Sequence, residues 1–99
     1  MNNLLSASCV FDYLQKEKKV LQPFNKDTHW KNTATTQTSS YACHFFIKKN
    51  NLDCLETFQI IIYKGHHCLA FSSIQRLLYG SSSIDSKHIQ HVLKNCVVD

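Results

Sequence analysis

Tyr41-Ala42-Cys43-His44-Phe45-Phe46-Ile47-Lys48 decides how this chain is read. Tyr41, Cys43, Phe45 and Ile47 alternate with Ala42, His44, Phe46 and Lys48. A period of two predicts a β-strand over 41–48, here one with two fairly apolar faces. Asn50-Asn51 follows, and asparagine adopts the left-handed backbone of a tight hairpin turn at little cost. The return strand is expected from Leu55 to Tyr63, centred on Phe58-Gln59-Ile60-Ile61-Ile62-Tyr63. Three consecutive isoleucines are stiff at the first side-chain torsion and favour strand. A helix over 52–64 stays open, because Leu52, Leu55, Glu56, Gln59 and Ile62 also match helical spacing. Gly65 breaks either element.

On the carboxyl side, His66 to Phe71 reads as a third short strand. Ser72 or Ser73 can cap a short helix carrying Ile74, Leu77 and Leu78, with Gly80 placed just past its end. Ser81-Ser82-Ser83 is a loop. Ser82 and Asp85 precede a last helix with Ile89, Val92, Leu93 and Cys96 on one face. On the amino side, Leu4, Ala7, Val10, Phe11, Leu14 and Leu21 share a face at helical spacing and predict an amphipathic helix over 4–21. Asn2 or Asn3 can cap it, and Pro23 stops it. Residues 24–40 are polar and aperiodic and read as a long flexible loop. Trp30 stands out there, since a lone tryptophan must be buried or make contacts. The fold class is therefore α+β in one domain over 1–99: a helix, a long loop, a hairpin with a possible third strand, then one or two helices.

Composition bounds the rest. Ninety-nine residues hold one core, and the 43% hydrophobic content is enough to fill it. No apolar run is long enough to make a transmembrane helix. Charged residues are only 18% and the net charge is +4, a balance that permits nucleic acid without demanding it. Every basic residue except Arg76 is a lysine, a solvated point charge without the planar fork that reads phosphate and guanine. The element order is similar to that of double-stranded-RNA-binding domains, but each candidate start of the final helix carries a single Lys or Arg. Fold order does not transfer function.

The five cysteines, Cys9, Cys43, Cys54, Cys68 and Cys96, form an odd and irregular set. Such a set is a poor secreted disulfide framework, and no Asn-x-Ser/Thr site is present. Leu4 to Phe11 faintly resembles a signal core, but Asp12 follows and no basic residue precedes it. These features favour a reducing, intracellular setting, cytoplasmic or nuclear. The nearest approach to a metal set is Cys54, Cys68, His88 and His91, with the two histidines three apart on the last helix. No paired-cysteine knuckle accompanies them, so neither metal nor cofactor is expected.

His66 and His67 precede Cys68 directly, yet neighbours on a strand point to opposite faces and make no dyad. No Gly-rich phosphate loop, serine elbow or His-Glu-x-x-His helix appears, so no catalytic residue is assigned. The default expectation is a small non-enzymatic protein–protein interaction module. Its contacts would come from the solvent side of the hairpin, with Trp30, Tyr41 and Phe46 as the candidates. The alternatives are a weak lysine-mediated RNA or DNA binder, and the product of a reading frame under little structural selection.

Overall fold

The hairpin forms as its alternation dictates. In the computed structural model, which describes residues 4–20, 22, 24–25, 30–32, 39–49, 51–79 and 86–98, β3 (Ser40–Lys49) and β4 (Leu52–Tyr63) pair antiparallel. The register runs from Ser40 opposite Ile61 to Lys49 opposite Leu52. Asn51 sits at φ 64°, the left-handed geometry read for it at the turn. Residues 52–63 are strand, which closes the helical alternative and moves the start of the return strand from Leu55 to Leu52. Helical spacing in this stretch was a by-product of apolar residues on both faces. The ladder to β3 and the β-branched run outweigh it.

Lys64 (φ 50°) and Gly65 (φ 79°) make the next turn. Two successive positive φ values match the right-handed twist of the flanking strands. β5 (His66–Ala70) returns beside β4, confirming the third strand. Two further strands were not expected. β1 (Leu4–Ser6) pairs antiparallel with β5, and β2 (Trp30–Asn32) pairs antiparallel with β3. The result is a five-stranded antiparallel sheet in the order β1-β5-β4-β3-β2. The expected loop over 24–40 is thus interrupted by β2, and Ser40 already belongs to β3; the rest of that reading falls largely outside the described residues.

The amino-terminal helix is shorter at both ends than its apolar face suggests. α1 spans Ala7–Lys16, because Leu4 to Ser6 are drawn into the sheet against Ala70, Leu69 and Cys68. Ser6 occupies the cap position with extended backbone; Asn2 and Asn3 lie outside the described residues. The helix ends well before Pro23. Lys18 takes φ 57°, its N–H donates to Gln15 O at 3.0 Å, and the Lys19 N–H donates to Leu14 O at 2.8 Å. That pair of bonds is a Schellman ending, usually built on glycine. The chain then turns along β3, where the Lys48 N–H donates to Lys19 O at 2.9 Å and Val20 bridges Ile47.

α2 (Phe71–Tyr79) starts directly from β5, so Ser72 and Ser73 lie inside it and do not cap it. Its anchors are Phe71 and Ile74, both buried. α3 (Ser86–Val92) and a 3-10 turn at Lys94–Cys96 follow, and Ile89, Leu93 and Cys96 are buried as the apolar stripe predicts. The expected caps at Gly80 and Ser82-Asp85 lie outside the described residues.

The three helices among the described residues share one hydrophobic core with one face of the sheet. Ala7, Val10, Phe11 and Leu14 of α1 meet Tyr41, Cys43, Phe45 and Ile47 of β3, Phe58 and Ile60 of β4, and Leu69 of β5. Phe11 is the pivot. Its ring stacks on Phe45 at 4.3 Å between centroids and meets Phe58 edge-on at 5.3 Å. Aromatic pairs at these separations add to the stabilisation from area burial.

A disulfide joins Cys9 of α1 to Cys96 of the 3-10 turn, with Cα atoms 5.3 Å apart. Leu5 also bridges Val97, and the Val98 N–H donates to Leu4 O at 3.2 Å. The carboxyl-terminal segment is therefore tied to the amino-terminal strand and helix. This bond runs against the expected reducing, intracellular setting, because disulfides persist in oxidising compartments. Cysteine parity had misled: two of five pair, while Cys43, Cys54 and Cys68 remain free thiols.

Candidate functional site

The register of the hairpin sorts its side chains onto two faces. Tyr41, Cys43, Phe45 and Ile47 turn to the helices, and with them Cys54, Glu56, Phe58 and Ile60, their partners in the ladder. The opposite face carries cross-strand pairs in sequence along the ladder: Ala42 with Gln59, His44 with Thr57, Phe46 with Leu55, and Lys48 with Asp53. Phe46 is 44% exposed and Leu55 59%. They stand directly opposite one another, so their apolar surfaces form one patch. Polar pairs flank it on both sides. His44 Nδ1 and Thr57 Oγ1 are 3.0 Å apart, and the Lys48 ammonium lies 3.2 Å from the Asp53 carboxylate. Leu52, 67% exposed at the hairpin tip, has the phase of Cys54 and so belongs to the other face of the sheet.

The three expected contact residues separate. Phe46 lies on this open face. Tyr41 does not, being buried at 6% exposure in the core; its phase in the strand alternation is that of Phe45, and the same periodicity that builds the core takes it inside. Trp30 lies on β2 with its backbone opposite Cys43, and its ring lies outside the described side chains. Leu55 was missed as a contact residue. The signal that could have found it is its phase, shared with the polar Thr57 and Gln59 on the open side of the same strand.

Tyr41 instead makes a part-buried polar contact. Its hydroxyl is 2.7 Å from His67 Nδ1, and the two rings meet edge-on at 5.5 Å. Cys43 neighbours it on the same face. Burial pushes the Cys43 thiol up to about 11, opposed by a smaller downward pull from its hydrogen bond with Tyr41. Burial also pushes the Cys68 thiol up, and Cys68 Sγ donates weakly to His66 O at 3.5 Å. A nucleophilic cysteine needs its pKa lowered, so both shifts run the wrong way for catalysis.

The four candidate metal ligands do not converge. Cys54 pairs with Ile47 on the helix side of the sheet, whereas Cys68 pairs with Ile61 and Ser6 on the open side. His88 and His91 are both exposed on α3. Among the described residues no three His, Cys, Asp or Glu side chains come together to hold a metal ion. No helix among them is long and apolar enough to cross a membrane.

Two of the surface clefts are lined by described residues. One lies between β4 and α2, lined by Glu56, Phe58, Ser73 and Arg76, and holds about 20 Å³, room for about one water molecule and no larger ligand. The other, about 380 Å³, opens beside the disulfide and is lined by Ser6, Cys9, Lys64, His66 and Asn95 to Val98. Comparison with protein-family models, curated proteins and solved structures finds no match to this chain.

Proposed function

We propose that this chain is a small, disulfide-braced, non-enzymatic interaction module. It would present the open side of its hairpin to a protein partner in an oxidising compartment. The observation that carries the reading is the Phe46–Leu55 pair, exposed on a sheet face whose opposite side holds the core. Large apolar side chains left adjacent and exposed mark contact surfaces more often than isolated ones do. The border indicates the partner's chemistry: a surface apolar at its centre, with one charge of each sign at the edge to meet Lys48 and Asp53. The lysine-mediated nucleic-acid alternative gains less support here. Lys48 is matched by Asp53 at 3.2 Å, so this face offers little net positive charge to phosphate.

Phe46→Asp combined with Leu55→Asp tests the reading, because both side chains already meet water and the fold should tolerate the change. Affinity capture is run with the wild type, this double variant and an exposed-site control, Lys87→Asp. A partner protein held by the wild type and the control but lost by the double variant supports the module. Binding to heparin or duplex RNA with a steep salt dependence, unchanged in the double variant, overturns it in favour of phosphate contacts.

A further inference from the structure

We infer that the cleft beside Cys9–Cys96 is a thiol-exchange site for a small, carboxylate-bearing thiol. Four observations meet there. The cleft, about 380 Å³, falls within the size range of small-molecule sites. Both disulfide residues line it, and they differ in access: Cys9 is half-buried whereas Cys96 is 4% exposed. Lys64 and His66 also line it, one a cation and the other an imidazole, suited to a carboxylate and to the negative charge that passes between sulfurs. Two of the three free thiols compete poorly, because Cys43 and Cys68 are buried and burial pushes their thiols up.

The step is an exchange without net oxidation. The incoming thiolate attacks the Cys9 sulfur, the Cys9–Cys96 bond breaks, and a mixed disulfide forms on Cys9. The Cys96 sulfur leaves as a thiolate and takes up a proton, replacing the one the incoming thiol lost. The Lys64 charge favours the approach of the anionic thiol and eases departure of the thiolate. The adduct lies in the cleft that Asn95, Val97 and Val98 also line. Exchange therefore removes the covalent tie on the carboxyl-terminal segment while leaving the Leu5–Val97 bridge to hold it.

The probe is reduced glutathione, compared with neutral 2-mercaptoethanol at equal thiolate concentration. The native protein is quenched with acid and followed by intact mass and peptide mapping. The expected result is a glutathione adduct on Cys9, formed several times faster than the 2-mercaptoethanol adduct. That preference should shrink as salt screens the Lys64 charge. Lys64→Asp should lower the preference about tenfold at low salt, taking charges roughly 6 Å apart in water-like surroundings; aspartate also tolerates the left-handed backbone of this turn. Equal rates for the two thiols at all salt concentrations overturn the inference. So does an adduct on Cys96 or Cys54, or a disulfide that opens only in denaturant. The salt series on the wild type stands even if the variant does not fold.

Discussion

Removing the brace is the perturbation with the largest calculable effect. Cys9 and Cys96 are 87 residues apart in a chain of 99, so the bond closes nearly the whole unfolded chain into one ring. Loop-closure entropy for a ring of that size is about 15 cal/mol/K, or about 4.6 kcal/mol at 25 °C, and measured disulfides often give less. A domain of this size is stable by about 5–15 kcal/mol in total, so the oxidised and reduced forms should differ visibly. With a urea slope of about 2 kcal/mol/M, the midpoint should fall by about 2 M on reduction. Comparing oxidised with reduced wild type keeps both sulfurs in place and isolates the cross-link. The double replacement Cys9→Ala, Cys96→Ala should match the reduced protein to within about 1 kcal/mol for each truncated side chain. Circular dichroism in urea reads the midpoint, and thiol titration in non-reducing denaturant should find three free thiols, the five cysteines less the bonded pair. Five titrating thiols, or coincident urea midpoints, would refute the reasoning.

Three further predictions follow from single positions. Lys18→Gly should stabilise the protein by up to about 1 kcal/mol, since Lys18 holds φ 57° at the end of α1 where glycine has no steric penalty; an unchanged or lower melting temperature counts against the Schellman assignment. Phe45→Ala should cost about 3–5 kcal/mol, while Phe46→Ala should stay within about 0.5 kcal/mol, because these neighbours point to opposite faces; similar losses in thermal melts would mean the faces are misassigned. Between pH 9.0 and about 11 the folded Cys43 thiol keeps a proton that the unfolded chain releases. Its contribution to stability is therefore complete below pH 9.0 and is lost as pH rises toward 11. Urea midpoints of Cys43→Ala should fall less over that window than those of the wild type.

How much of this was legible depended on whether the deciding contact was local. The hairpin could be read because alternation, turn asparagine and β-branched residues all act within a few positions and agree. α1 was legible as an element but not in its limits. Leu4 and Leu5 fit a helix as readily as a strand, and only pairing with Leu69 and Ala70 decides between them. Its end is set by Lys18 adopting a conformation that no lysine advertises. β2 escaped because three residues carry no period, and Trp30 joins the sheet only when β3 is present to receive it. The disulfide joins positions near opposite ends of the chain, so no spacing rule could find it and an odd count argued against looking.

The candidate surface was half legible for a related reason. Alternation divides a strand into two faces but does not say which one meets water, and β3 is apolar enough on both sides to leave that open. Tyr41 and Phe46 were both named as contacts although they stand at odds in phase, so a flat β3 could expose at most one of them. α1 makes the choice by bringing Phe11 against Phe45 and Phe58, which commits the phase of Phe45 to the core and takes Tyr41 with it. Phe46 is then left facing outward, and the ladder places Leu55 opposite it. The exposed pair is thus a consequence of how the amino-terminal helix docks, and a Phe11 variant that loosens that docking should disturb the open face as well as the core. Phe11→Ala should therefore shift the amide resonances of Phe46 and Leu55 as well as those of Phe45 and Phe58. Unmoved outer-face resonances in a destabilised variant would separate the two faces and leave the Phe46–Leu55 surface to the hairpin alone.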